Sequence, residues 1–180
     1  MPALMITAGS LHRLRRQLDA VGDGTAATIL EDAGRVTGEA MHEHWRNRIA
    51  ERTGLDDAGH LDVRWFGPLL DELCLDRGWG SVAATLMGDR ALLLESGDWA
   101  EADPSSSTAP GCHFSRGCFE AFLSAQAGTS VRVIEVECRS RGDAACRFLA
   151  MSAASLIDVQ DLIAAGGSWR DAYPADELPG

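Results

Sequence analysis

The chain is short of positive charge. Against 27 Asp and Glu it carries 16 Lys and Arg, which gives a net charge of −11 and a pI near 4.8. Nucleic-acid binding draws on clustered cations, so a phosphate-backbone partner is set aside. The basic cluster from His12 to Arg16 is one turn of helix and reads as a solvated face. Long hydrophobic runs are also missing. No stretch of about eighteen apolar residues occurs, so no membrane span is expected, and the N-terminus MPALMITAGSLHRLRR carries no cleavable signal pattern. The expected location is cytoplasmic.

Catalytic signatures are absent as well. There is no GxGxxG behind a strand, no GxSxG elbow, no HExxH and no P-loop. Nothing cradles a nicotinamide or a flavin, as a reductase would need. With neither a P-loop nor a helix-turn-helix, a full transcriptional activator is not expected; a stand-alone module is. His42 and His44 are two apart on a helix and project to different sides. The acidic pairs Asp56-Asp57 and Asp71-Glu72 read as solvated caps and faces. No CxxC pair occurs, although there are five cysteines. An odd number of thiols in a reducing compartment points to free thiols or metal ligands, not to a disulfide framework.

What is present suffices for one well-buried core. At 180 residues and 46% hydrophobic content the chain reads as a single domain over residues 1–165, with its core at about 10–150 and a loose tail at 166–180. Ser10 is placed to cap a helix that ends at Gly22-Asp23-Gly24. A long helix from Ala26 to Arg52 sets Ile29, Ala33, Val36, Ala40, Trp45 and Ile49 near one stripe, with Gly54 as its stop. Gly34 and Gly38, four apart on it, leave a groove where another element can approach closely. Asp62 caps a third helix carrying Trp65, Leu69, Leu70, Leu73 and Cys74.

After Gly80 the pattern turns to short β-type runs. SVAATLM and RALLLES around Gly88-Asp89 predict a hairpin, and Asp98 to Pro110 predicts a flexible connection. A helix from Cys112 to Ala127 carries Phe114, Cys118, Phe122 and Ala125 near one stripe. A second hairpin joins VRVIEVEC to ACRFLAM through Ser140 to Asp143, and Ser155 is placed to cap a last helix to Ala164. This order predicts an α+β fold, helices packed on a mainly antiparallel sheet.

The segment richest in chemistry has the pattern C-x22-E-x2-C-x7-C, formed by Cys112, Glu135, Cys138 and Cys146. Thiolates and a carboxylate suit tetrahedral zinc. The competing reading is that the three cysteines are small buried hydrophobes. Glu135 and Cys138 are three apart, so a regular strand would turn them to opposite faces. A bulge or turn near Val136 is required to bring them together. Glu137 is the neighbouring candidate without that distortion, and His113 is a substitute donor beside Cys112. Four protein ligands leave no open position, so such a site is structural and not catalytic. Cys118 and Cys74 read as core thiols.

GCHFSRGCFEAF, VRVIEVEC and GDAACRF, together with the upstream EDAGRVTGEA and LCLDRGWGSV, resemble the 4-vinyl reductase domain family over roughly residues 10 to 150. The resemblance implies a small-molecule-binding α+β module related in fold to TRAPP subunits, and a homodimer paired through helices. It implies zinc ligands at Cys112, Glu135, Cys138 and Cys146, as in the aromatic-sensing domains of some bacterial activators. It also implies a hydrophobic, aromatic or tetrapyrrole-like ligand in an apolar pocket formed by Trp65, Phe66, Asp71, Trp79, Leu94, Trp99, Phe114 and Phe122 as a group, while most of these aromatics taken singly read as core filling. Asp71 and Leu94 stand where phenol-sensing members carry a His and a Trp, which implies a different ligand. The family also reaches into bacteriochlorophyll synthesis, so a vinyl reductase or assembly factor is one alternative. A purely structural interaction module is another. The Ser-rich loop from Pro104 to Thr108 is a candidate gate.

Overall fold

The computed structural model describes residues 7–22, 24–55, 58–105 and 110–174. The pair Asp56-Asp57, Thr108 and most of the candidate gating loop lie outside the described residues. The helices are α1 (Ala8–Val21), α2 (Ala26–Thr53), α3 (Val63–Asp76), α4 (His113–Ala127) and α5 (Ala153–Ala164). The strands are β1 (Ala83–Met87), β2 (Ala91–Ser96), β3 (Arg132–Glu137) and β4 (Cys146–Met151). They form one sheet in the order β1-β2-β4-β3, antiparallel throughout. The fold is α+β as the element order implies.

The sheet is covered on both faces. Leu94, Phe148 and Ala150 join α2, α3 and α4 in one core, while Leu93, Leu149 and Met151 meet Val159 of α5, Trp169 and Tyr173 in a second. Double coverage explains why the central strands read as unbroken apolar runs (ALLLES, CRFLAM) where a half-exposed strand would alternate. The second core corrects the loose tail over its first part. Ser168 caps a short 3₁₀ turn at Trp169–Ala172, and Trp169 and Tyr173 are buried.

Local starts are shifted by a turn or less. Thr7, not Ser10, caps α1, and Ser152, not Ser155, caps α5; in each case the expected cap supplies the amide that the true cap accepts. Asp62 caps α3 through the Arg64 amide as expected. The stripe on α2 is the larger correction. Ile29 and Val36 are exposed, and the inward face runs through Leu30, Gly34, Gly38, Met41, Trp45 and Ile49. The glycines decide that face, because α4 lies against them. A Cβ at Gly34 or Gly38 would overlap the carbonyl of Phe114 or Cys118, and one at Gly117 would overlap that of Glu31. The expected groove is therefore filled by the helix that begins at Cys112.

Candidate metal centre and neighbouring cleft

The bulge required at Val136 is present. Glu135 pairs with Phe148 and Glu137 with the next residue, Arg147, so Val136 is the extra residue on β3. The three side chains then separate. Glu135 turns to α4, where Oε2 accepts the Cys112 amide at 3.0 Å. Val136 enters the α5 core. Glu137 accepts from Arg147, Arg170 and the Trp169 indole, so the neighbouring candidate is already committed elsewhere.

Beyond β3 the chain folds back through a 3₁₀ turn at Arg139–Arg141, with Gly142 at φ 102°. The Asp143 carboxylate accepts the Cys138 amide at 2.7 Å and fixes this return. Cys138 and Cys146 are thereby delivered to the same side as Cys112, all three fully buried. Their donor atoms and a Glu135 carboxylate oxygen lie within 4.8 Å of one another. His113 is not among them; its Nδ1 stands 3.8 Å from Glu31.

These residues fit a metal ion on two observations. Cys112 Sγ is 3.8 Å from both Cys138 Sγ and Cys146 Sγ, and thiolates bound at about 2.3 Å to one tetrahedral ion stand about 3.8 Å apart. Glu135 Oε1 is buried with no hydrogen-bond partner. An orphaned carboxylate oxygen beside three thiols is costly unless a cation satisfies it. Hydrogen bonds from Cys112 and Cys146 pull the Cys138 thiol far down, and burial, with the Cys138 charge, pushes Glu135 up to about 8. Metal ligands of this kind bind deprotonated, so a cation would displace the protons of the cluster.

On the other side of the α4 start lies an open cleft of about 490 Å³ between α1, α2 and the end of α3. Its apolar walls are Leu11, Leu73, Trp79 and Phe114, the last two stacked with centroids 5.4 Å apart. Of the eight expected pocket residues, only Trp79 and Phe114 line this cleft. Trp65 is 60% exposed, and Phe66 packs edge-on against Trp45. Asp71 accepts the Val82 amide. Leu94, Trp99 and Phe122 are core. The interior expected to be hollow is packed by Trp99, Phe119 and Phe148 in successive ring contacts, leaving a void of about 10 Å³ beside Cys74 and Cys118.

Comparison with known proteins bears on the first of these sites. Residues 100–151 match the family model of the 4-vinyl reductase (V-4-R) domain. The resemblance read from the sequence is thus supported over the segment that holds all four clustered residues. The fold agrees with a solved structure described as the phenol-responsive sensory domain of the transcription activator PoxR with phenol. That similarity has a TM-score of 0.66 at 17% identity and covers 84% of this chain and 77% of that one. No curated protein matches the chain.

Within the matched segment and upstream of it, two more cysteine expectations hold. Cys118 is buried with its Sγ on Met41 Sδ at 3.9 Å, and Cys74 is buried in the same core. Burial pushes the Cys74 thiol up to about 12 and Cys118 higher still, so both are inert.

Sequence reasoning missed Glu101, at the start of the matched segment. Asp98 to Pro110 reads as a polar connection, yet Trp99, Glu101, Ala102 and Asp103 are buried. Glu101 accepts the Phe114 and Ser115 amides at 3.0 and 2.7 Å and also the Ser115 hydroxyl, so it caps α4 from outside the helix. A cap supplied by a residue this far upstream leaves no local pattern to find. His44, Arg48 and Arg77 of the cleft were missed for a similar reason: each reads as an ordinary exposed helical charge.

Burial pushes the Glu101 carboxyl up to about 7, against the Ser115 and Phe114 donors that hold it down. The folded state therefore keeps a proton that the unfolded chain loses above its ordinary 4.5. Stability tied to this group is full below that value and falls as pH rises toward 7, by up to about 1.4 kcal/mol per pH unit. Glu101→Gln is expected to flatten that slope in urea melts between those two values. An unchanged pH dependence would show that Glu101 titrates normally.

Proposed function

We propose that this chain is a small-molecule-binding module, a sensor or carrier for a hydrophobic or aromatic molecule, with a structural zinc clamp and no catalysis of its own. The observation that carries the reading is the pairing of a closed Cys₃Glu cluster with an open aromatic cleft on the two sides of one helix start. Cys112, Glu135, Cys138 and Cys146 would hold zinc. The ion would supply cross-linking between the α4 start and the β3–β4 hairpin, and four protein donors leave it no position for substrate. Such a clamp fixes the wall on which Phe114 stands. The cleft is within the about 300–1,000 Å³ range of small-molecule sites.

Among the described residues no helix is long and apolar enough to cross a membrane. The homodimer implied by the family resemblance is supported by Leu14 and Val21 on α1 and Ile29 and Val36 on α2, each pair seven apart and exposed. Sedimentation is expected to give a dimer, and Val36→Glu to shift it toward monomer. A wild-type monomer at high concentration would remove that part of the reading.

The function is tested by elemental analysis and calorimetry on the purified protein. One zinc per chain that survives dialysis, and saturable binding of small aromatic molecules, are the expected results. Folded, metal-free protein would remove the clamp, and a cleft that takes no aromatic molecule would remove the sensor.

A further inference from the structure

The cleft is unusual for this molecule in its charge. The chain as a whole is acidic at −11, so a free anion is repelled from most of its surface. Inside the cleft the carboxylates are already engaged. Asp76 pairs with Arg48 at 2.7 Å, and Glu101 is 1% exposed beneath its three α4 donors. Two basic groups are left over. Neither the Arg77 guanidinium nor the His44 ring has a hydrogen-bond or ion-pair partner among the described residues, and both line the cleft. The Arg77 guanidinium is thus a cation without a counter-ion in the cleft.

The apolar part has a shape of its own. Phe114 and Trp79 are nearly parallel at 22°, and Trp79 in turn contacts Trp99 at 5.6 Å. A flat ring laid into the cleft extends this series, with Leu11 and Leu73 as its other walls. Among the described residues, the interior positions expected to hold a ligand are closed. Asp71 is tied to the Val82 amide and Leu94 is fully buried, so neither is presented to a ligand. The void inside the core is too small for any ring.

Resting on the small-molecule reading above, we propose that the preferred ligand is an aromatic acid, its ring on the Trp79–Phe114 wall and its carboxylate on Arg77. The guanidinium fork matches a carboxylate in two hydrogen bonds, which a neutral hydroxyl cannot reproduce. Arg77 closes α3 as its C-cap residue, which places the charge at the mouth of the cleft and the rings at its wall. An Arg77 guanidinium without a counter-ion also selects among aromatics by charge, since neutral rings gain nothing from it.

The test is isothermal calorimetry of the metal-loaded protein with two probes of one size, 1-naphthoate and 1-naphthol. Naphthoate is expected to bind about tenfold or more tighter, the worth of one charge-assisted carboxylate contact, and to weaken with added salt. Arg77→Gln should erase the preference and leave naphthol affinity as it was, while Arg77→Lys restores part of it. Arg77 is exposed, so the variants should fold, and matching circular dichroism confirms this. Equal affinity for the two probes, or a preference that survives Arg77→Gln, overturns the aromatic-acid proposal and leaves small-molecule binding standing. Binding of neither probe by the wild-type protein overturns both.

Discussion

Cys138→Ser is expected to empty the cluster of zinc and to cost more than about 4 kcal/mol of stability, the range reserved for losing a metal or a buried network. In a domain of this size that corresponds to a fall of about 10 °C or more in the melting midpoint. Cys138 is a ligand candidate fixed by the backbone. It lies between β3 and the 3₁₀ turn, with its thiol 3.8 Å from that of Cys112. A serine oxygen in its place keeps a proton that a thiol readily gives up, so the ligand set falls to two thiols and a carboxylate. The Glu135 oxygen that already lacks a protein partner is then left buried beside them. Chelation of the wild-type protein should reach the same endpoint by another route, and should do nothing further to Cys138→Ser. Cys74→Ala, in the same core but outside the group of four candidate ligands, should retain full zinc. Elemental analysis with thermal melts checks all four outcomes. A Cys138→Ser protein that keeps one zinc per chain, or melts with the wild type, removes the clamp.

The difference between what was and was not legible in the sequence follows from distance along the chain. Elements whose signals are local came through. Asp62 as a cap, Gly54 and Gly128 in left-handed conformations after their helices, and both hairpins all follow from residues within one turn of each other. The metal candidates came through because a geometric contradiction was informative. Glu135 and Cys138 could converge only through a bulge at Val136, and the register shift lies there.

Apart from the two helix caps placed three residues too late, the differences are cases in which a distant element chose the face. On α2 the expected stripe held Trp45 and Ile49, which are buried, but also Ile29 and Val36, which are exposed. Contact with α4 instead favoured the stripe with the least side chain, through Gly34 and Gly38. Of the expected pocket residues, only Trp79 and Phe114 line the cleft. Trp99, Phe122 and Leu94 are large and apolar whether they line a cavity or fill it, and only their mutual contacts show that they fill it. Glu101 was invisible because its partners, the first amides of α4, come from across the intervening connection.

The closeness of α2 and α4 yields the second large effect. Gly34→Ala, Gly38→Ala and Gly117→Ala each add one methyl group against a helix carbonyl, with backbone and not a flexible side-chain end in the way. Overpacking of a core usually costs about 1–3 kcal/mol because side chains can shift. Here the helices themselves must part, so each substitution is expected to exceed about 3 kcal/mol in urea denaturation. Gly9→Ala is the control: on α1 an added Cβ meets nothing within 4 Å, and better helix propensity should stabilise by about 0.5–1 kcal/mol. A third readout connects the crossing to the site. Moving α4 away from α2 displaces Cys112, which directly precedes the helix, and Phe114 with it. The glycine variants should therefore lose zinc more readily to a competing chelator than the wild type. Gly38→Ala with wild-type stability would mean that the helices are not held at this distance in solution. A destabilised Gly38→Ala that kept wild-type zinc affinity would mean that the clamp is anchored by the β3–β4 hairpin alone.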